Sequence, residues 1–129
     1  MTAAKRNLYI EQGATFNLSF VWNEGTSESI GAPVDLTGCE ARMQVRQKQQ
    51  SPVIVDARSD GESPAIILGG ATGAVEVTLT ADMTDLLNVK SGLYDLEIQF
   101  PDGTVYRLLE GTVTVSPNIT QDPDDATIG

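Results

Sequence analysis

The side chains best suited to covalent chemistry are nearly missing from this sequence, and carboxylates dominate what remains. There is no histidine among the 129 residues, and Cys39 is the single thiol. A nucleophile of the Ser-His-Asp or Cys-His type needs an imidazole to take its proton, so that machinery has no base here. Zinc sites draw mostly on cysteine and histidine, and one cysteine does not furnish one. Cys39 therefore reads as a small buried apolar residue. A lone cysteine also forms no intrachain disulfide, which suits folding under reducing conditions.

The 18 acidic residues leave two carboxylate arrangements to weigh. Asp95 and Glu97 occupy alternate positions of a predicted strand and face water, where nothing shifts a carboxyl toward acid–base work. Asp122, Asp124 and Asp125 offer the oxygen ligands calcium takes. They lack the glycine and closing glutamate of a calcium-binding loop, so they read as a solvated tail. Gly69-Gly70-Ala71-Thr72-Gly73 has the glycines of a phosphate loop without its Gly-Lys-Ser/Thr ending or a following helix, and reads as a turn. The expectation is no enzyme, no cofactor, no metal and no small-molecule substrate.

Strands must position whatever function remains. In Thr15–Asn23 the residues Phe16, Leu18, Phe20 and Trp22 share one face, and Thr15, Asn17 and Ser19 the other. The same two-residue period places Cys39, Ala41, Met43 and Val45 inward, with Glu40, Arg42, Gln44 and Arg46 outward. It recurs in Val75–Thr80 and in Tyr94–Phe100. Shorter strands are expected at Leu8–Glu11, Val53–Arg58, Ile66–Leu68, Thr104–Leu109 and Thr112–Ser116. Gln12-Gly13 and Pro101-Asp102-Gly103-Thr104 read as turns. Thr80 can cap one helical turn over 81–87. Trp22, the sole tryptophan, has two readings: core packing, or an anchor facing a partner.

Glu24–Pro33 is polar and rich in Gly and Ser, and reads as a long exposed loop. Residues 117–129 are nearly devoid of apolar side chains and should not order alone. The organisation predicted is an N-terminal arm over 1–6, a sandwich domain over 7–116 and an acidic tail over 117–129. The fold class is all-β: an immunoglobulin-like antiparallel sandwich of about eight or nine short strands. A closed barrel is the other option.

Residues 1–58 carry no net charge, so the whole formal charge of −10 falls in 59–129. Such a field repels phosphates and argues against nucleic acid as a partner. The N-terminal basic residues have no apolar run behind them, so no secretion signal is expected. No apolar stretch approaches the ~18 residues of a membrane helix, so no membrane partner is expected either.

Several segments in order carry a resemblance. They are Tyr9–Phe16, Val34–Arg46, Gly69–Gly73 leading into Val75–Leu79, Ser91–Glu97 and Val105–Gly111. Together they resemble structural proteins of tailed-bacteriophage virions, above all the N-terminal domain of baseplate upper proteins and short stand-alone phage and prophage proteins. The resemblance spans residues 7–116. It implies an immunoglobulin-like sandwich, made in the host cytoplasm, that docks to other virion proteins in several symmetric copies, with no catalytic residues to carry over. The baseplate proteins continue into a receptor-binding or fibre-anchoring domain; none is expected here, which leaves tail, neck and capsid positions open.

The function expected is therefore a non-enzymatic virion module at the tail, baseplate or head–tail junction. Alternatives are a capsid decoration protein and a free binding module, for example for carbohydrate. Docking would use loops, sheet edges and termini, with Lys5, Arg6, Glu24, Glu28, Arg42, Arg46, Asp122, Asp124 and Asp125 as candidate partner-binding residues.

Overall fold

Alternating apolar and polar side chains build two facing sheets. A computed structural model of the chain describes residues 3–25 and 30–120. In chain order the strands are β1 (Ala4–Lys5), β2 (Leu8–Glu11), β3 (Phe16–Val21), β4 (Asn23–Gly25), β5 (Ile30–Pro33), β6 (Glu40–Arg46), β7 (Val53–Arg58), β8 (Ile66–Leu68), β9 (Ala74–Leu79), β10 (Ser91–Gln99) and β11 (Val105–Ser116). A short α-helix, α1 (Ala81–Asp85), links β9 to β10, and a 3-10 turn at Gly70–Thr72 lies between β8 and β9. Among the described residues no helix is long and apolar enough to cross a membrane.

The larger sheet runs β11, β10, β6, β7, with β1 and β2 along the outer edge of β11. The smaller sheet runs β3, β9, β8. The chain thus passes from one sheet to the other and back. That is the B-E-D over C-F-G arrangement of an immunoglobulin-like sandwich, extended by β7 on one edge and by the first strand on the other.

Pairing within the two sheets is antiparallel with one exception. Ala4 pairs with Leu109 and Leu8 with Val113 in parallel, at one constant offset, so β1 and β2 act as a single interrupted strand. A parallel neighbour is allowed because β2 does not reach β11 through a hairpin; it turns at Gln12-Gly13 into the opposite sheet.

Two expectations about the strands need correction. Residues 24–33 are not simply a loop, because β4 and β5 pair as a small ribbon through Asn23–Pro33 and Gly25–Ile30. The expected break between Thr104–Leu109 and Thr112–Ser116 is also absent: β11 continues through Gly111. A Cβ at that position would collide with the Arg6 carbonyl oxygen, so glycine lets the first strand lie against the last. A register shift between Leu96 and Glu97 places both Leu108 and Leu109 inside.

The inward rows form one core. Met43 and Val45 of β6, Leu96 and Ile98 of β10, Val75, Val77 and Leu79 of β9, and Ile10 of β2 are essentially fully buried. Each large apolar side chain contributes about 1.5–3 kcal/mol by leaving water. Phe16, Phe20, Trp22, Cys39 and Phe100, expected inward, pack against the rim of this core and stay partly exposed. Tyr94 is buried with its hydroxyl donating to the Arg6 carbonyl at 2.7 Å.

Thr84 is the one polar residue buried among the described residues, and it ties distant segments together. Thr80 caps α1 by accepting from the Met83 amide at 3.3 Å, and the helix ends at Asp85, two residues before the predicted limit. From within that turn the Thr84 hydroxyl accepts from the Gly13 amide at 3.0 Å. Its proton lies within reach of the carbonyls of Ala14 (2.9 Å) and Ala81 (3.2 Å). Thr84→Val keeps the shape and strands the Gly13 donor, so it should lower stability by about 1–3 kcal/mol. Urea unfolding will measure this, and Thr84→Ser should lose less. Equal stability of the valine variant would show that the bond does not matter.

Candidate functional site

The outward face of the larger sheet has the densest polar arrangement. The alternation that buries Met43 and Val45 sends Arg42, Gln44 and Arg46 of β6 outward, along with Asp56 and Arg58 of β7. Register lines these up with residues of β10, β11 and β1. Arg58, Arg42, Glu97 and Arg107 are successive cross-strand partners in one row. Asp56, Gln44, Asp95, Glu110 and Lys5 form the next.

Like charges directly opposite one another destabilise a sheet, and Arg42 and Arg58 are such a pair. Asp56 bridges them. Arg42 Nε donates to Asp56 Oδ1 at 3.0 Å, Arg58 Nε to Oδ2 at 2.9 Å, and Gln44 Nε2 to Oδ1 at 3.2 Å. Partial burial pushes the Asp56 carboxyl upward, and these hydrogen bonds outweigh it, holding it down at about 2. Arg46 is held by the Ser51 carbonyl at 2.7 Å and by Gln44 Oε1 at 3.2 Å. Across the sheet Arg107 lies 3.4 Å from Asp95 and 3.2 Å from Glu110, and Lys5 Nζ lies 3.7 Å from Glu110.

Two shallow hollows mark this face. One, of about 680 Å³, is lined in part by Lys5, Gln44, Arg46, Asp95, Arg107 and Glu110. The other, of about 360 Å³, is lined in part by Glu40, Arg42, Arg58, Asp60 and Glu97. Five of the eight cations of the chain are thereby spent on one sheet face, leaving Arg6, Lys48 and Lys90 for every other surface. The acidic excess, which divides by halves in sequence, divides by surface in the fold.

Of the candidate residues read from sequence, Lys5 and Arg46 share one hollow, and Arg42 lines its neighbour. Arg6 contributes backbone: its amide donates to the Glu110 carbonyl at 2.9 Å and its own carbonyl receives Tyr94. Glu24 lies apart, in β4. Glu28, Asp122, Asp124 and Asp125 lie outside the described residues. Asp56, Arg58, Arg107 and Glu110 were missed. Asp56 and Arg58 stood at alternate positions of a predicted strand, but nothing in the sequence shows which strand lies beside which.

A second feature occupies the end of the sandwich where the β4–β5 ribbon meets the β10–β11 turn. Trp22 is fixed there by backbone bonds, its amide donating to Gly73 and its carbonyl accepting from Val34, both at 2.9 Å. Its ring meets Phe100 and Tyr106 edge to face, with centroids 6.0 and 5.8 Å away, and those two rings are 5.6 Å apart. In the turn, Asp102 Oδ1 accepts from the Thr104 amide at 2.9 Å, which lowers its pKa. Nearby, burial pushes the Cys39 thiol up, and the carboxylates of Asp35 and Asp102 add to it, so Cys39 is a poor nucleophile at neutral pH. Among the described residues no group of acids and thiols is placed to hold a metal ion.

No family model matches the chain, and no curated protein is significantly similar to it. The class of protein rests on the structure alone: an all-β, immunoglobulin-like sandwich.

The Asp56 cluster makes a pH-dependent contribution. The folded carboxyl titrates at about 2, below its ordinary 3.8, so its stabilisation is complete above that ordinary value and is lost as pH falls through the folded one. Its side chain is 33% exposed, so screening reduces the effect to about 1 kcal/mol. Asp56→Asn should lose that amount at pH 7, and the two proteins should converge as the pH approaches the folded value. Urea unfolding at several pH values will test this, and a difference independent of pH would refute the assignment.

Proposed function

We propose that this chain is a non-enzymatic structural module of a tailed-phage virion, docking to tail, baseplate or head–tail components. The observation that carries the reading is the outward face of the larger sheet, where Lys5 and Arg42 meet carboxylates from three other strands in ordered rows and Arg46 is held beside them by the Ser51 carbonyl and Gln44. Patterned charges of both signs confer orientation and partner choice more than raw affinity, which is what a part repeated around a symmetric assembly requires. The β7 edge of the same sheet offers backbone groups to which a neighbour's strand can add. The order of segments that resembles phage structural proteins supports the same reading.

A capsid decoration protein is the second reading, favoured by the net charge of −10 on a small β-rich chain. The two differ in copy number. Quantitative mass spectrometry of purified particles should find the chain in about six to a few dozen copies for a tail or neck component, against hundreds for decoration. Its absence from particles would defeat both.

A further inference from the structure

The corner around Trp22 differs in kind from the charged face. On that face the cations have carboxylate or carbonyl partners; in the corner, carboxylates stand without cations. Trp22, Phe100 and Tyr106 line a hollow of about 510 Å³, together with Glu24 and Asp102. No lysine or arginine is among the residues that line it. Arg107, although next to Tyr106 in sequence, faces the opposite side and is held by Asp95 and Glu110. The Glu24 side chain has no hydrogen-bond or ion-pair partner among the described residues.

We infer that this corner receives an arginine side chain projecting from a protein partner, with its guanidinium against the aromatic rings and between Glu24 and Asp102. Four features favour that occupant. The three rings hold one another edge to face and remain partly exposed, so π surface is in place before anything binds. Ring faces attract cations, and the flat, weakly hydrated guanidinium stacks on them better than an ammonium does. The flanking carboxylates offer charge-assisted hydrogen bonds to its fork of donors. Finally, the net charge of −10 draws basic surfaces toward the protein. An apolar occupant would instead desolvate both carboxylates without pairing them, and an acidic one would be repelled.

This inference goes beyond the virion reading and does not depend on it, since an arginine from any protein partner would serve. Trp22 is the sole tryptophan, so its indole N–H gives a unique nuclear magnetic resonance signal. The full chain should be titrated with N-acetyl-arginine amide, with the citrulline amide (the same shape without charge) and with the leucine amide. The arginine compound should shift the indole signal saturably, and the citrulline compound should bind about tenfold more weakly. The double variant Glu24→Gln, Asp102→Asn should also weaken arginine binding about tenfold while its spectrum stays dispersed, because asparagine still accepts from the Thr104 amide. Equal binding of citrulline or leucine amide would overturn the inference, as would the lack of any saturable shift. A failed search for the chain in particles would leave this titration unaffected, so the two ideas fail separately.

Discussion

Two sheets facing each other across a layer of apolar side chains impose the constraint from which the rest follows. Met43, Val45, Leu96 and Ile98 on one side and Val75, Val77 and Leu79 on the other have no room for water or charge between them. Every ionised group among the described residues is therefore driven outward, and the two side-chain hydroxyls inside are bonded. Thr84 serves the turn after β2, and Tyr94 serves the Arg6 carbonyl. Both bonds join the first strand region to segments some 70 to 90 residues later, which is why the parallel first strand stays attached without a hairpin of its own.

The same constraint shapes the surface. Once a strand's inward row is committed to the core, its outward row is committed too, and neighbouring strands set which outward residues meet. Arg42 and Arg58 end up opposite each other, a repulsive arrangement that Asp56 turns into a bridged one. Cations gathered on that face are unavailable elsewhere, so the aromatic corner is left with carboxylates alone. The two surfaces thus offer different chemistry: one is internally paired and suited to orienting a neighbour, the other is lined by carboxylates with no cation among the lining residues and is suited to a cation.

Much of the fold was legible in the residues. The strands Leu8–Glu11, Val53–Arg58 and Ile66–Leu68 lie where alternation placed them, and Thr80 caps the short helix as its type suggested. What misled was punctuation. Gly111 looked like a break between strands, yet its missing side chain serves a close approach of the Arg6 backbone within one long strand. The polar run after Trp22 looked like plain loop because a two-stranded ribbon at the periphery needs no apolar row to pair.

The candidate sites were legible only in part. Outward positions for Arg42 and Arg46 followed from period two, a property each strand carries by itself. Their partners did not, because Asp56, Asp95 and Glu110 arrive from other strands, and pairing depends on register across the sheet. Trp22 could be placed at a strand end, but Phe100 and Tyr106 join it only through the β10–β11 turn and the stacking of the sheets. The sequence by itself determined which residues face inward along the regular strands, because side-chain direction alternates in extended chain; the β11 bulge, where Leu108 and Leu109 are both buried, departs from that rule. Tertiary structure alone decided which outward residues are neighbours, because that depends on distances between segments that no local pattern records.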